Sequence, residues 1–182
     1  TLASLNFSNK QLLVSVVAGM PIEQLRRSLP DAIEIVRAMP VSSAECGAST
    51  TLIYPHQEWV ADFFNHCGES VASASEPAFE QGSVLACVYS WFFQLFDSLI
   101  EANQSDALPR DLTAKLVMGM AKGAAQLALE QGSGKPAIIA EHIASEGTYS
   151  KLGLDLLKQQ QAFAPWQEAS ELLLHKLAED KS

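Results

Sequence analysis

Apolar residues follow two different spacings along the chain, and the spacing changes near Ser75. Before that residue, short apolar runs alternate with stretches of helical period. Residues 12–18 form the first such run and predict a buried strand, while Ile22, Leu25 and Leu29 recur at the spacing of a helix face. Strands that alternate with helices in this way predict a parallel sheet with crossover helices.

Three further strands are predicted to extend that sheet. We expect the second at residues 32–36, the third at residues 50–54 and a short last one at residues 71–73. Between the third and the last, apolar side chains at helical spacing predict a helix, whose face consists of Val60, Phe63, Phe64 and Cys67. The chain up to Ser75 therefore has the pattern of part of a nucleotide-binding α/β sheet.

Long apolar helices replace the strands after Ser75. Residues 84–101 are almost continuously apolar, and residues 111–131 are apolar on more than one side. Prolines, which favour helix starts, precede three of the predicted helices: Pro109, Pro136 and Pro165. Helices this apolar must be covered on several faces, and we expect a second chain to complete their core. The sequence thus predicts two domains, at residues 1–75 and 76–182.

The composition predicts a soluble globular protein and argues against two classes of partner. The chain has 182 residues, of which 48% are hydrophobic and 18% are charged, and its net charge is −9. This charge repels nucleic-acid phosphates and anionic lipid, so we expect no nucleic-acid partner and no membrane partner. No apolar run reaches the roughly 20 residues of a membrane helix, and the first run lacks the basic lead-in of a signal peptide.

The cysteines, histidines and glycines narrow the candidate chemistry. Three cysteines, odd in number and widely spaced, fit reduced thiols and a cytoplasmic location better than a disulfide framework. The four histidines have no partner at metal-ligand spacing, and we expect no metal site. The G-M-A-K-G segment at residues 119–123 lies inside a helical pattern, so we expect its glycines to permit close helix packing rather than phosphate binding.

Five segments carry a resemblance to a known family. In chain order they are V-S-V-V-A-G-M-P-I-E-Q-L, V-R-A-M-P, an aromatic-rich helix, L-P-R-D-L-T-A-K-L-V-M-G-M-A-K-G-A-A-Q-L-A-L-E-Q-G and I-A-S-E-G-T-Y-S-K-L-G-L. The most specific are the turns at residues 18–22 and 37–40 and the helix at residues 108–130. In their order and separation these segments are similar to pyrroline-5-carboxylate reductase, over nearly the whole chain.

The resemblance implies a fold that is α/β plus all-α, with a partial Rossmann-type parallel sheet followed by a helical dimerisation domain. It also implies a homodimer through the helical domain, with a higher oligomer left open. The reaction it implies is hydride transfer from NADPH or NADH to a small-molecule cyclic imine, as in proline biosynthesis. The family's glycine-rich phosphate loop would lie before Thr1. We therefore expect the chain to be the later part of an enzyme and to bind a dinucleotide poorly by itself.

Two turns are implied to bind the cofactor. Ala18 and Gly19 match the turn that lines the nicotinamide side in the family, and Met39 and Pro40 flank the same crevice. A glycine at position 19 leaves room for a flat ring, and a plain tight turn explains it equally well. Family members have Asn after the Met-Pro pair, so Val41 removes an amide that could hold the cofactor.

The implied substrate segments depart further from the family. The family's Ser-Gly-Ser-Gly-Pro-Ala-Tyr segment falls on residues 85–91, and its last substrate loop, Ser-Pro-Gly-Gly-Thr-Thr, reads S-E-G-T-Y-S at residues 145–150. The candidate substrate-binding residues are Trp91, Ser145, Gly147 and Tyr149, and the candidate proton donor is Ser150. Glu146, in place of Pro, either points to solvent or repels a substrate carboxylate, by roughly 4 kcal/mol at about 4 Å near a protein surface.

Two other functions stay open beside the reductase. A paralogue that keeps the fold and the dimer without catalysis would account for the altered substrate segments. Another Rossmann dehydrogenase with a helical dimer domain would carry a lysine on a helix as its acid and base. Lys115, Lys122 and Lys151 are available for that role, and no motif selects one of them.

Overall fold

A four-stranded sheet opens the chain in a computed structural model that describes residues 7–8, 11–30, 33–132 and 134–179. The strands lie in chain order. Their bounds are Leu12–Ser15 (β1), Glu34–Met39 (β2), Ser49–Tyr54 (β3) and Gly68–Ala72 (β4). The connections contain α1 at Ile22–Arg26, a 3-10 helix at Ser42–Cys46 and α2 at Glu58–Asn65.

Five helices follow the sheet in the described part of the chain. They are α3 at Glu76–Asn103, α4 at Arg110–Glu130, α5 at Pro136–Ile143, α6 at Tyr149–Gln159 and α7 at Ala164–Glu179. A small α/β sheet followed by helices is the predicted fold class, which is confirmed. The prolines at positions 109, 136 and 165 stand at or next to the starts of α4, α5 and α7, as predicted.

The direction of β3 corrects the prediction of an all-parallel sheet. β1 and β2 are parallel, and so are β3 and β4, but β2 and β3 run antiparallel with Ala38 opposite Ile53. A parallel connection needs about a dozen or more residues, usually with a crossover helix. Only the 3-10 turn joins β2 to β3, whereas α1 and α2 provide crossovers for the two parallel pairs. The short connection therefore forces the chain to turn back.

Several predicted bounds and faces also change. β1 ends at Ser15, and Val16 and Val17 are about half exposed rather than buried. β2 begins and ends later than predicted, with Ala32 outside the described residues, and β4 begins earlier than predicted. On α2 the buried residues include Ala61, whereas Phe63 is 54% exposed, because Val60, Ala61 and Phe64 share the face turned toward the sheet.

The core of the sheet lies on both of its faces because β2 alternates between them. Val36 and Ala38 pack on one face with residues of β3 and α2, whereas Ile35 packs on the other face with Leu25 and Leu29 after β1. Each fully buried Val or Ile side chain contributes about 1.5–3 kcal/mol to folding. The two half-cores fix the register of β1 and β2, and the ends of these strands border the candidate site.

Of the glycines in the sheet unit, Gly68 is expected to be the one whose substitution costs the most stability. Its φ angle is +144°, and a Cβ at this position would overlap the backbone of Ser49. We therefore expect Gly68→Ala to lower the free energy of unfolding by about 3 kcal/mol, measured by urea denaturation. Gly47→Ala is the control, because Gly47 has φ +69° with open space around it, and its cost is expected near 1 kcal/mol. Equal losses in the two variants would contradict this explanation.

The chain forms two compact units. The first contains the described residues up to Tyr89 together with those from Leu172 onward, and the second contains residues 90–171. α3 and α7 each contribute residues to both units. The predicted domain boundary after residue 75 falls at the start of α3 and stays a prediction.

The second unit buries few of its apolar side chains within the described chain. Ile100 and Ala144 are its buried hydrophobic residues, whereas many large ones are exposed. Examples from α3, α4, α5 and α6 are Phe92, Leu116, Met120, Ile138 and Leu156. A contiguous set of exposed apolar side chains marks a surface that another chain or a membrane covers.

One described helix is long and apolar enough, by length and composition alone, to cross a membrane. It is α3, in which an 18-residue window has a mean hydropathy of 1.4 and 17% of the window is buried. The sequence prediction that no segment reaches membrane length was therefore too strict. Helices that join a protein–protein interface satisfy the same test, so α3 alone is weak evidence for a membrane.

Candidate functional site

A cavity of about 280 Å³ lies at the carboxyl ends of β1 and β2 in the first unit. Ala18, which follows β1, and Met39, which ends β2, both belong to its lining. The helices supply the other lining residues, which are Ser83, Val84, Ala86, Cys87, Leu173, Lys176 and Leu177. Because open α/β sheets bind ligands beyond the carboxyl ends of their strands, this cavity is the candidate site. The structure thus brings together two of the four residues predicted to bind the cofactor.

Gly19 and Pro40 adjoin the two residues that line the cavity. Gly19 has φ +68°, a left-handed conformation that favours glycine, and a Cβ there would meet no atom within 4 Å. The turn therefore accounts for this glycine, and the space in front of it stays open. Pro40 follows β2 directly, and Val41 then uses its backbone N–H to donate to Oγ of Ser49 at 3.1 Å.

A buried arginine below the cavity is a feature that the sequence prediction missed. Arg37 of β2 is fully buried and forms ion pairs with Glu80 and, at 3.0 Å, with Glu76. Its guanidinium lies 4.5 Å from the ring centroid of Phe79. Glu76, Phe79 and Glu80 lie at positions i, i+3 and i+4 of one face of α3. All three therefore contact the guanidinium of Arg37. The available signal was the E-P-A-F-E sequence at a helix start together with a charged residue in a buried strand.

The segment between α5 and α6, together with the first turn of α6, carries most of the predicted substrate residues. Thr148 is the N-cap of α6, because its Oγ1 accepts a hydrogen bond from the Lys151 N–H at 3.1 Å. The same hydroxyl donates to the Ser145 carbonyl oxygen at 2.8 Å, and Gly147 has φ +82°. Ser150 is exposed in the first turn of the 11-residue helix. A capped helix start of this kind presents backbone N–H groups that attract an anion.

Charges next to this segment are balanced in part by a lysine. Lys151 hydrogen-bonds Oδ1 of Asp155 at 2.5 Å. That hydrogen bond raises the pKa of Lys151, desolvation opposes it, and the charges of Asp155, Glu146 and Glu141 raise the pKa further. A pKa raised above the ordinary value keeps this lysine protonated, so Lys151 is unsuited to act as a base near neutral pH. Glu146 thus acts on a lysine whose ammonium is already paired with Asp155.

The remaining substrate candidates lie in different surroundings. Tyr149 is 94% exposed at the start of α6. Trp91 is half-buried in the second unit, where its ring packs edge-on against Trp166 at 6.1 Å between centroids. Both tryptophans line a cavity whose other residues come from α3 and α7. In this unit the role of Trp91 is therefore one of aromatic packing, and a role in substrate binding stays a prediction.

Two further observations concern metals and thiols. Among the residues that the structure describes, no group of three or more His, Cys, Asp or Glu side chains lies close enough to hold a metal ion. Cys46, Cys67 and Cys87 form no disulfide among the residues that the structure describes, and their reduced state stays a prediction. Cys87 lies in the lining of the candidate cavity, a placement that no sequence motif indicated.

The helical part of the chain decides the family. A family model described as "Pyrroline-5-carboxylate reductase dimerisation" matches residues 81–179, more than half of the 182 residues. The chain belongs to the pyrroline-5-carboxylate reductase family. Its α3 to α7 segment is therefore the part of the molecule that carries the family's dimerisation sequence, as the resemblance implied.

Curated reductases of this family match beyond the helical part. The pyrroline-5-carboxylate reductase of Pasteurella multocida is 28% identical over 170 residues, which cover 88% of this chain and 61% of that protein. The Mycobacterium tuberculosis enzyme is 30% identical over 138 residues, which cover 72% of this chain and 47% of that protein. The chain thus spans about half to three fifths of the length of these relatives.

Solved structures of the family share the fold. The pyrroline carboxylate reductase of Plasmodium falciparum, solved with NADP bound, superposes with a TM-score of 0.82 at 22% identity, covering 94% of this chain and 70% of that one. The enzyme of Streptococcus pyogenes gives a TM-score of 0.81 at 21% identity, covering 97% and 70%. This chain thus has both parts of the family's fold: a partial Rossmann-type sheet and a helical dimerisation domain.

Proposed function

We propose that the protein acts in an NADPH- or NADH-dependent reductase that converts a cyclic imine of the pyrroline-5-carboxylate type into the saturated ring, as in proline biosynthesis. The observation that carries this proposal is the cavity at the ends of β1 and β2 in a chain of this family. Ala18 and Met39, which line it, stand in the two turns that match the family most specifically.

The residues around the cavity fit the nicotinamide end of a dinucleotide. Gly19 leaves open space, and Ala18, Met39 and Pro40 present small or flexible apolar groups against which a flat ring can pack. The sequence contains no G-x-G-x-x-G motif that would bind the pyrophosphate. The P. falciparum relative was solved with NADP, which supports a nicotinamide dinucleotide and leaves NADH and NADPH to be distinguished by assay.

A bound dinucleotide supplies the hydride in such a reaction. The chain contributes orientation of the two reactants and the exclusion of water. We propose that backbone N–H groups at the start of α6, together with Ser145 and Gly147, bind the carboxylate of the substrate. Ser150 is the proposed proton donor to the ring nitrogen, and Trp91 and Tyr149 are proposed to contribute to substrate binding.

We also propose a homodimer formed through α3 and α4. A groove of about 500 Å³ runs between these helices within the second unit, and apolar residues such as Leu95, Leu99, Leu116 and Met120 line it. A Cβ at Gly119 or Gly123 would meet no other described part of the chain within 4 Å beyond its own stretch of helix, so we propose that any close helix packing that these glycines permit involves another chain. We also propose a cytoplasmic location, which the three cysteines support because they form no disulfide in the described part of the chain.

An assay of the whole protein tests the proposed function. Purified protein is mixed with NADPH or NADH and pyrroline-5-carboxylate, and the loss of absorbance of the reduced nicotinamide is followed. We expect reduction of the cyclic imine with at least one dinucleotide. Binding of NADPH without reduction of any cyclic imine in a panel would instead support the non-catalytic paralogue, and absence of binding would overturn the proposal.

Ser150→Ala tests the proposed proton donor. We expect kcat to fall about a hundredfold while KM for the dinucleotide is unchanged, because a general acid acts in the chemical step. Ser170→Ala is the control, since the Ser170 hydroxyl donates to the Trp166 carbonyl oxygen at 2.9 Å within its own helix. An unchanged kcat in folded Ser150→Ala protein would remove Ser150 from the mechanism.

A further inference from the structure

One carboxylate connects the two chain segments that border the cavity. Glu76 is the first residue of α3, and its Oε1 accepts a hydrogen bond from the backbone N–H of Ile22 at 2.7 Å. The same oxygen accepts a hydrogen bond from Nη1 of Arg37 at 3.0 Å. Ile22 ends the turn that begins at Ala18, and Arg37 lies two residues before Met39. A single oxygen atom therefore bridges the turn after β1 and the end of β2.

We propose that Glu76 is a positioning residue: its carboxylate holds the turn from Ala18 to Ile22 at a fixed position relative to the end of β2 and thereby sets the geometry of the cavity. Its effect on catalysis rests on the proposed reductase function. The positioning itself is a property of the fold that can be measured separately.

The bridge is rigid on the side of β2. Arg37 has no solvent exposure, and its guanidinium is held by the Glu80 carboxylate and by the ring of Phe79 in addition to Glu76. Hydrogen bonds between charged partners are roughly twice as strong as those between neutral ones. Because the arginine is buried and paired in this way, its position is set by α3 and β2, and the carboxylate of Glu76 then determines where the turn that ends at Ile22 lies.

The bridge is also close to the cavity along α3. Glu76 and Glu80 occupy the first turns of the helix, and Ser83 and Val84, one turn later, belong to the cavity lining. The helix that holds Arg37 and Ile22 therefore supplies one wall of the cavity itself. A shift of the Ala18 turn changes the distance between that wall and the opposite side, where the nicotinamide is proposed to bind.

The consequence for catalysis is a loss of orientation rather than of binding. A displacement of about 1 Å between reacting groups can lower a rate roughly a hundredfold. In the Glu76→Ala variant we expect kcat to fall at least tenfold, with less than a threefold change in KM for the dinucleotide. With a dinucleotide deuterated at the transferred position, we expect a larger primary isotope effect on kcat, because hydride transfer becomes slower than the other steps.

Three variants of the whole protein make the comparison. Glu76→Ala removes both hydrogen bonds, whereas Glu76→Gln keeps an oxygen that can accept from the Ile22 N–H and is expected to restore most of kcat. Glu58→Ala is the matched control, because Glu58 is also the first residue of a helix, α2, and is exposed. The Glu58→Ala variant loses the favourable interaction between a carboxylate and a helix N-terminus, as Glu76→Ala does, but it leaves the cavity unchanged.

Hydrogen exchange of the Ile22 amide measures the positioning directly. We expect this amide to exchange at least tenfold faster in Glu76→Ala than in the unchanged protein or in Glu58→Ala, and to recover in Glu76→Gln. Unchanged exchange at Ile22, or a kcat in Glu76→Ala equal to that of Glu58→Ala, would overturn the proposal. If the unchanged protein reduces no cyclic imine, the proposed function fails, and the exchange measurement alone decides whether Glu76 holds the turn.

Discussion

The Leu116→Asp variant is expected to be monomeric at concentrations at which the unchanged protein is a dimer. Leu116 is 44% exposed and lines the groove between α3 and α4. Burying an uncompensated charge costs about 3–5 kcal/mol, and a two-fold interface contains each substitution twice. The dissociation constant is therefore expected to rise by roughly a thousandfold or more. Light scattering on a gel-filtration column, repeated over a dilution series, measures the change.

A control separates loss of the interface from loss of folding. Trp59→Asp places the same charge at an exposed position, since Trp59 is 62% exposed on α2 of the first unit. That variant is expected to stay dimeric, and circular dichroism should show helix content unchanged in both. A Leu116→Asp protein that stays dimeric would place the interface elsewhere, and an unchanged protein that is a folded monomer would remove the dimer altogether.

Arg37→Met is expected to be the most destabilising single substitution in the sheet unit. The substitution removes the guanidinium that pairs with the Glu80 carboxylate, and Glu80 is only 4% exposed. Removing one partner of a buried ion pair costs about 3–5 kcal/mol. Since domains of this size are stable by only about 5–15 kcal/mol, the loss is a large fraction of the total. Urea denaturation followed by circular dichroism measures it.

Two comparisons test the cause of that loss. Arg27→Met breaks an exposed ion pair with Glu23, whose side chains are 74% and 83% exposed, and is expected to cost less than about 1 kcal/mol. In the double variant Arg37→Met with Glu80→Met, most of the stability is expected to return because no charge is left buried. A loss in Arg37→Met as small as that in Arg27→Met would show that the buried pair contributes little.

The changed residues of the substrate loop bear on the choice of substrate. Glu146 alone suggested repulsion of an anion, but its charge acts on Lys151, which stays protonated. The start of α6 keeps a threonine cap, although the family sequence around it has changed. Lys151 supplies one positive charge beside this loop, and a substrate of the pyrroline-carboxylate class stays a proposal for this chain.

The periodicity of the sequence predicted the elements well and their relative direction less well. The strand at residues 50–54 was found, but its direction depended on the length of the connection before it. That length was visible in the sequence, since the segment from Pro40 to Ala48 is too short for a helical crossover. Apolar alternation shows that a strand is buried, whereas direction is set by the path of the chain.

The face of α2 shows a second limit of periodicity. Phe63 was predicted to face the core because it lies at helical spacing with Val60, Phe64 and Cys67, but it is 54% exposed and stacks on Trp59 at 6.0 Å between ring centroids. Ala61 was not part of the predicted face, and it is only 9% exposed. In a short helix several apolar spacings fit the same residues, and the side that contacts the sheet decides which of them is buried.

By itself the sequence determined the fold class, the helix starts and the two turns that border the candidate cavity, because these depend on residues close to each other along the chain. Only the tertiary structure showed the Arg37 cluster and the bridge made by Glu76. Glu76 lies 54 positions from Ile22 and 39 from Arg37 along the chain. The physical reason is that a buried charge is stable only beside a partner, and the fold decides which distant residue becomes that partner.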